Sequence, residues 1–276
     1  MSVRSARYNL LSLRNPKGLT VIPEERDAWA FLDAAGIKSS REQRAVIELV
    51  RGLKHAQLWS KMKAIYPFVG GTATTHKFNL KDPRDADAAY RLSFQGGWTH
   101  SANGILPNAT NAYADTNMVA NTLSNSSTCV SIYSRTDSNG LYFDIGASNN
   151  GSTSIISIYS RFNGNAISDS GSYLVSRITS AVTNSYGLYV SSRTATNVFK
   201  LFKNNTQIGT QTTNDTNGMP NTNISLSAVF VPSAGYVQYS NRELAFSTIG
   251  DGLTDTDATN LYNIVQRYQT SLGRQV

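Results

Sequence analysis

The sequence predicts a mainly β protein, a two-sheet sandwich with a small N-terminal helical segment and a C-terminal helix. Residues from about Gly96 to Ile249 are rich in Asn, Ser, Thr and Gly, poor in charge, and divided into short runs of alternating polarity. This pattern is typical of half-buried strands joined by turns. Before this stretch, apolar residues recur at the intervals of a helix. The chain ends in a segment that has the capping residues and the apolar spacing of an amphipathic helix.

The first 20 residues are expected to form an extended arm with large apolar side chains. Residues 1–66 contain twelve Lys or Arg against six Asp or Glu, whereas residues 101–276 contain nine of each. This asymmetry in charge indicates that the N-terminal part of the chain interacts with a partner. We expect the arm to dock to a partner through Arg4, Arg7, Arg14 and Lys17. Nucleic acid is not the expected partner, because no reader motif accompanies the charge.

Two helices are predicted in residues 21–63, which we interpret as a docking segment. Pro23 suits the first position of a helix and Gly36 suits its end. Ser39 and Glu42 have the spacing of a capping box at the start of the second helix. Its apolar residues recur at helical intervals and form one stripe: Val46, Leu49, Val50 and Leu53.

Residues 64–276 are predicted to form the sandwich and its closing helix. Apolar alternation bounded by turn residues predicts the strands Ile65–Val69, Tyr90–Phe94, Val130–Arg135, Leu141–Ile145, Ser154–Arg161, Tyr173–Ile178, Leu188–Ser192, Val198–Lys203, Thr206–Gly209, Ile224–Val231 and Val237–Phe246. Asn139-Gly140 and Asn204-Asn205 suit tight hairpins. Thr254 is the expected N-cap of the closing helix, and Gly273 follows near its end.

No catalytic motif is present, and we expect no enzymatic activity. The sequence lacks a Gly-x-Ser-x-Gly elbow. A glycosidase needs two neighbouring carboxylates, and no two acids of the sandwich lie two residues apart on one strand: Asp115, Asp137, Asp144, Asp169, Asp215 and Glu243. A polysaccharide-degrading enzyme is the second alternative, through contacts between distant residues. Cys129, in an apolar strand, is expected to be buried and inert.

No metal or cofactor is expected. The three histidines, His55, His76 and His100, are far apart and lack the short spacing of zinc ligands. Asp251, Asp255 and Asp257 resemble the beginning of a calcium loop, without its terminal glutamate. Acids are also favourable where a helix begins, and we interpret the three in that way.

Glycan contacts are predicted at Trp98, His100 and Tyr113, because aromatic rings in loops and on sheet faces can stack on sugars. Tyr133, Tyr142, Tyr159 and Tyr189 have the same potential, although aromatic residues of a sandwich are more often core. A Ser-Arg pair recurs at four predicted strand ends, with its arginine at Arg135, Arg161, Arg177 and Arg193. One interpretation is that these arginines form a row of positive charges that binds an anionic sugar. The second, which we favour, is that each arginine is solvated or paired with a nearby acid.

Neither a signal-peptide core nor an apolar run of about 18 residues is found, so no membrane span is expected. We expect the protein to be made in a cytoplasm and to remain there, or to leave by lysis or assembly.

Five segments together resemble a virion protein of tailed phages that carries a concanavalin A-like, or laminin-G-like, jelly-roll domain. They are Leu58–Phe68 (LWSKMKAIYPF), Lys77–Asp85 (KFNLKDPRD), Asn108–Asp115 (NATNAYAD), Ile249–Asp255 (IGDGLTD) and Leu272–Arg274 (LGR). The resemblance covers the chain from about Trp29 to its end.

This resemblance implies a concanavalin A-like two-sheet jelly roll displayed on a virion as a tail fibre, spike or capsid decoration. The implied partners are other virion proteins and further copies of this chain. Some relatives of the fold bind carbohydrate, so a host-surface carbohydrate-binding module is the first alternative. The calcium- and sugar-binding loops of legume lectins have no match here, and no catalytic residue is implied.

Overall fold

The computed structural model describes residues 23–149 and 153–276, so the predicted arm with Arg4, Arg7, Arg14 and Lys17 lies outside the described residues. Two large antiparallel sheets pack face to face, with helices before and after them in the chain. The predicted sandwich with an N-terminal helical segment and a C-terminal helix is therefore confirmed. No helix in this part of the chain is long and apolar enough to cross a membrane.

The described helices are α1 (Arg26–Ala34), α2 (Ser40–His55), α3 (Ala73–His76) and α4 (Asp255–Leu272). The described strands are β1 (Met62–Tyr66), β2 (Ser93–Gln95), β3 (Trp98–Ser101), β4 (Gly104–Pro107), β5 (Tyr113–Val119), β6 (Thr128–Ser134), β7 (Ile145–Asn149), β8 (Ser154–Phe162), β9 (Asn165–Ser172), β10 (Arg177–Ala181), β11 (Gly187–Ala195), β12 (Val198–Lys203), β13 (Thr206–Gln211), β14 (Asn223–Leu226), β15 (Val229–Val231), β16 (Gly235–Val237) and β17 (Leu244–Gly250).

The first sheet has the order β13-β12-β11-β6-β17-β4-β3, and β1 also pairs with β17. The second sheet has the order β10-β9-β8-β7-β14-β5-β2, and β15 and β16 form a separate hairpin. The main apolar core lies between the two sheets, where residues such as Ile132, Ile158 and Ile224 are fully buried. Inward and outward side chains alternate along each strand, so each sheet also has an outer face.

The helices cover the outer face of the first sheet. A second buried cluster joins α1, α2 and α4 to that face, where Tyr133, Val190 and Phe246 project from three neighbouring strands. The first sheet is thus apolar on both sides, and the three helices form a layer over it. We call α1, α2 and α4 the helical layer.

The caps of these helices follow from local sequence. The Ser39 hydroxyl accepts the backbone N–H of Glu42, while the Glu42 carboxylate turns away and accepts the N–H of Gly70. Thr254 and Asp257 form a reciprocal capping box at the start of α4. Gly273 ends α4 with φ of 69°, in the left-handed region that favours glycine.

Some predicted strands differ from the observed ones. Residues 141–144 form a connection between the two sheets, and the strand begins only at Ile145. The predicted strand over Ile224–Val231 is divided at Ser227, whose φ is 67°. Asn204-Asn205 does join a hairpin between β12 and β13, but Asn139-Gly140 lies in the connection from the first sheet to the second.

Arg274 joins the helical layer to the sandwich. Its side chain is buried, with 1% of its surface exposed. The guanidinium donates to five neutral oxygens, at 2.6–3.2 Å: Gln269 Oε1 and the carbonyls of Pro67, Phe68, Ala102 and Ala245. These acceptors belong to α4, the segment after β1, the β3–β4 turn and β17. One side chain therefore satisfies backbone carbonyls from three separate segments and a side-chain amide oxygen from a fourth.

We predict that Arg274→Met, which keeps much of the side-chain length, lowers the free energy of unfolding by about 3 kcal/mol or more. The reason is that several buried carbonyls lose their donors at once. Urea denaturation followed by circular dichroism measures the change. The exposed neighbour Gln275 provides the matched control Gln275→Met, which should shift the value by less than about 0.5 kcal/mol. Equal stability of the two variants would contradict the role assigned to Arg274.

Candidate functional site

A row of small and polar residues crosses the outer face of the second sheet. Strand pairing places one residue from each strand in register, in the order Arg177, Asp169, Ser157, Gly146, Ser225, Asp115 and Ser93. Their neighbours along the strands, such as Ile156, Ile224 and Ala114, belong to the core between the sheets. Because side chains alternate, the row must lie on the opposite face. We call it the polar row.

The β15–β16 hairpin covers the middle of the polar row. Val229 of this hairpin packs with Phe143, Ile155 and Tyr159 in a small third cluster on the outer face. Gly146 lies in the middle of the row, and a Cβ there would come within 1.9 Å of the Ile156 carbonyl oxygen. The hairpin divides the outer face into two flanks, each with a carboxylate and tyrosines.

The first flank contains the predicted residue Tyr113. Its ring stacks on that of Tyr236, with 3.5 Å between centroids and 16° between planes. Asp115 lies beside the pair and accepts hydrogen bonds from the Asn223 amide at 3.1 Å and the Tyr236 hydroxyl at 3.4 Å. All four side chains are half-buried. We call Tyr113, Asp115, Asn223 and Tyr236 the tyrosine face.

The hydroxyls of the tyrosine face remain protonated at neutral pH. Burial and then the nearby Asp115 carboxylate raise the pKa of both Tyr113 and Tyr236. The exposed Gln95 lies directly opposite Tyr113 on β2, and opposed residues share one face of a sheet. The flank therefore offers aromatic surface next to hydroxyl, amide and carboxylate groups. This combination suits a neutral, hydroxylated ligand, because each group can donate to or accept from a hydroxyl.

The second flank has a similar composition, but its charges neutralise each other. Arg177 donates to both oxygens of Asp169, at 2.8 and 2.9 Å, and its guanidinium lies over the Tyr173 ring at 4.8 Å. Asp169 is fully buried and also accepts the Ser157 hydroxyl. This flank therefore has no free charge to attract an anion.

The other two predicted glycan residues, Trp98 and His100, lie together at a neighbouring edge. His100 contacts Phe94, Trp98 and His76, with ring centroids 4.6–6.2 Å apart. The Trp98 indole N–H donates to the carbonyl of Gln95. Because Gln95 pairs with Tyr113, this edge adjoins the tyrosine face. We call Phe94, Trp98, His100 and His76 the histidine edge.

The two histidines form a pair that their sequence spacing does not reveal. His76 Nε2 accepts the backbone N–H of Gly71 at 3.2 Å, so its proton must be on Nδ1. That Nδ1 lies 3.0 Å from His100 Nδ1, which accordingly acts as the acceptor. Burial first, and then the charges of His100 and Arg274, lower the pKa of His76 to about 3. Burial also lowers the pKa of His100.

The carboxylates of the polar row are far apart, and other acids of the sandwich are held by hydrogen-bond donors. Asp115 and Asp169 share the outer face but are separated by four strand intervals, about 19 Å, whereas glycosidase pairs lie within about 10 Å. Asp144 is fully buried and bonds both of its oxygens to Arg242 at 3.0 Å. Serine hydroxyls surround Asp215; although burial alone raises its pKa, the Ser176 and Ser172 hydrogen bonds lower it overall.

Most of the remaining charged residues have structural partners. The acids near the start of α4 pair with lysines: Asp251 with Lys63, Asp255 with Lys200 and Asp257 with Lys61. Arg135, Arg161 and Arg177 pair with Glu243, Asp137 and Asp169. Arg193 is buried and donates to the carbonyls of Ser170 and Thr196. Three of the four arginines thus pair with acids, in agreement with the second interpretation, whereas Arg193 is neither solvated nor paired with an acid.

The other tyrosines with a predicted potential for stacking lie mostly in the cores. Tyr133 and Tyr189 are fully buried and Tyr159 nearly so, while Tyr142 is partly exposed under the Arg242 guanidinium. Tyr236 and Asn223 were not predicted from the sequence as members of the site with Tyr113. They lie more than 100 residues away, and no local signal joins them to β5.

No protein-family model matches the chain, and no curated protein matches it in sequence. Among solved structures, it is similar to domain 4 of AbnA, an extracellular GH43 arabinanase from Geobacillus stearothermophilus, in complex with arabinotriose. That match has 14% identity and a TM-score of 0.52, and covers 73% of this chain and 98% of the domain. The likeness supports the two-sheet fold.

Two weaker matches are botulinum neurotoxin structures. One is a structure of neurotoxin type C, whose cell entry is described as dependent upon interaction with two ganglioside molecules. It has 12% identity and a TM-score of 0.49, and the match covers 77% of this chain and 53% of that chain. The other is the binding domain of serotype D/C VPI 5993 (13% identity, TM-score 0.48, 75% and 53%). This chain therefore matches about half of each neurotoxin structure.

We predict that the buried His76 makes stability depend on pH between 6.5 and about 3. The unfolded chain binds a proton at this histidine below about pH 6.5, whereas the folded chain does not, so stability falls as pH falls. His76 alone should lower the free energy of unfolding by about 2 kcal/mol between pH 7 and pH 5. Urea denaturation at both pH values measures it.

His76→Gln supplies the test, because glutamine can still accept the Gly71 N–H but does not titrate. This variant should lose clearly less stability between pH 7 and pH 5 than the wild type. His55→Gln, at an exposed histidine, is the matched control and should behave as the wild type. An equal loss in wild type and His76→Gln would contradict the assignment.

Proposed function

We propose that this protein is a carbohydrate-binding module and that the tyrosine face holds the glycan. The observation that carries the proposal is the stacked Tyr113–Tyr236 pair beside Asp115 and Asn223 on the outer face of a sandwich. Aromatic rings pack against the apolar faces of sugar rings, while amide and carboxylate groups bond the hydroxyls.

The fold comparison supports the same class of ligand. The arabinanase domain that shares the two-sheet fold is described in complex with arabinotriose, a neutral oligosaccharide. The tyrosine face also suits a neutral ligand, because Asp115 is the acid at its centre and would repel an anion. Short neutral oligosaccharides are therefore the first probes to use.

The proposed role is binding without hydrolysis. A hydrolase would need a second carboxylate near Asp115, yet the other acid of the polar row, Asp169, is about 19 Å away and neutralised by Arg177. If incubation with arabinan released new reducing ends, the polysaccharide-degrading alternative would replace this proposal.

We predict that Tyr113→Ala and Tyr236→Ala each lower glycan affinity about five- to tenfold, because each removes half of the stacked surface. A glycan array that includes arabino-oligosaccharides and bacterial surface polysaccharides identifies the ligand, and calorimetry measures the affinities. Tyr186→Ala is the matched control, because Tyr186 is an exposed tyrosine outside the tyrosine face. Equal losses in all three variants, or no binding across the array, would count against the proposal.

We also propose that the module is part of a tailed-phage virion, docked through its basic N-terminal region. The support is the sequence resemblance and the charge excess of residues 1–66, in contrast to the balanced charge of residues 101–276. Carbohydrate binding and a virion role are compatible, since a displayed module can also be a structural component.

Deletion of residues 2–20 tests the docking role. The deletion removes Arg4, Arg7, Arg14 and Lys17, so we expect the purified protein to join particles far less often than the full chain. Incorporation is measured by quantitative immunoblotting of purified particles, and binding of the shortened chain to the array glycan shows that it is folded. Undiminished incorporation would contradict the docking role and leave the glycan proposal intact.

A further inference from the structure

A groove runs between α2 and α4 on the outer surface of the helical layer. Arg41 Nε donates to the Ser271 carbonyl near the end of α4, and Gly52 faces Ile264 further along. Residue numbers thus rise along α2 as they fall along α4, so the two helices are antiparallel. A Cβ at Gly52 would lie 3.2 Å from Ile264. The close approach at this glycine sets the depth of the groove.

The groove has an apolar floor and a basic rim. Its volume is about 630 Å³. The floor is formed by Ala45, Leu49, Gly52, Ile264 and Tyr268, and the rim includes Arg41, Arg44 and Arg267. We call this surface the arginine groove. A shallower concavity continues it past Gly52 to His55.

The basic rim is largely free of acids. Arg44 and Arg267 are exposed and form no ion pair with any of the described residues. The acid that lines the groove, Glu48, bonds Arg51 at 2.9 Å and is partly neutralised by it. Elsewhere in the described chain, most arginines of the sandwich are paired or buried. Unpaired arginines over an apolar floor are therefore a local feature of this groove.

We propose that the arginine groove binds an acidic amphipathic helix of a partner protein. From Arg41 to His55 the groove follows fourteen residue steps of α2, about 21 Å, which is the length of about four helical turns. The floor residues are almost fully buried within the helical layer, with Leu49 1% and Ile264 5% exposed, so apolar residues of such a helix would touch only their edges. Its acids would reach the rim arginines. Residues 1–22 of this chain contain no Asp or Glu, so their charge does not match the rim.

This inference is independent of the glycan proposal, because the groove and the tyrosine face lie on opposite outer faces of the sandwich. The probe is a fluorescent 15-residue helical peptide with Leu on one face and Glu on the other. Two matched peptides serve as comparisons: one has Lys in place of Glu, and the other has the same composition in scrambled order. Fluorescence anisotropy measures binding to the full chain.

We expect the acidic amphipathic peptide to bind at least tenfold more tightly than either comparison peptide. The double variant Arg44→Glu/Arg267→Glu should weaken its binding at least tenfold. Both residues are exposed, so the variant should fold as the wild type does, which circular dichroism checks. Arg26→Glu/Lys38→Glu makes the same charge change at exposed residues outside the groove and should bind as the wild type does.

Several results would overturn the proposal. Unchanged binding by Arg44→Glu/Arg267→Glu would place the peptide elsewhere, and equal binding of the scrambled peptide would show that charge alone is recognised. Absence of binding by all three peptides would also exclude the proposed occupant. Analytical ultracentrifugation supplies the remaining arm: a dimer that forms in the wild type and is lost in Arg44→Glu/Arg267→Glu would assign the groove to a second copy of this chain.

Discussion

The contact on which the architecture depends is the Arg274 guanidinium beneath the end of α4. Five neutral oxygens surround it, and it forms no ion pair with a carboxylate of the described residues. Burial lowers its pKa, yet arginine remains protonated in proteins. The charge is tolerated because every donor meets a carbonyl or amide oxygen. Those oxygens come from separate segments, so the position of α4 on the first sheet is determined by hydrogen-bond geometry as well as by apolar packing.

This attachment decides which face of the sandwich is free for a ligand. The first sheet is apolar on its outer side, where Tyr133, Val190 and Phe246 would face water without the helices. Because the helices cover that face, the outer face of the second sheet is the one free for a ligand. This face is polar because the strand register places Asp169, Ser157 and Ser225 in one row. The hairpin then covers the middle of the row and leaves a flank on each side. On one flank an arginine cancels the carboxylate, and on the other Asp115 is held by an amide and a hydroxyl.

Local sequence was sufficient for α1, α2 and α4 and for the class of fold, but not for α3 or for the site. The Ser39 and Thr254 caps and the Gly273 terminus depend on residues within a few positions, so their prediction succeeded. β9 was missed because Asn165–Ser172 is almost entirely small and polar, and its pairing with β8 on one side and β10 on the other makes it a strand. Residues 141–144 were predicted as a strand, yet Arg242 bonds the Tyr142 carbonyl and the Asp144 carboxylate and holds them in a connection between the sheets. Tyr113 was singled out from its sequence, but its partner Tyr236 comes from a hairpin that no local pattern assigns to it.

The positions of the two proposed binding surfaces also limit how they could influence each other. The tyrosine face and the arginine groove are separated by two packed sheets and the helical layer, and layers of this kind lie about 10 Å apart. The hydrogen bonds of Arg242 are buried, and the Arg274 network meets the groove at Tyr268, whose ring centroid lies 5.4 Å from the guanidinium. For binding at one surface to change the affinity of the other, the core between the sheets would have to change its packing. Close-packed protein interiors resist such changes. The simplest arrangement is therefore additive: a partner held at the helical layer and a glycan held at the second sheet would each bind with unchanged affinity when the other is present. In that arrangement the sandwich acts as a rigid spacer, and Arg274 maintains the rigidity by keeping one of its two layers in place.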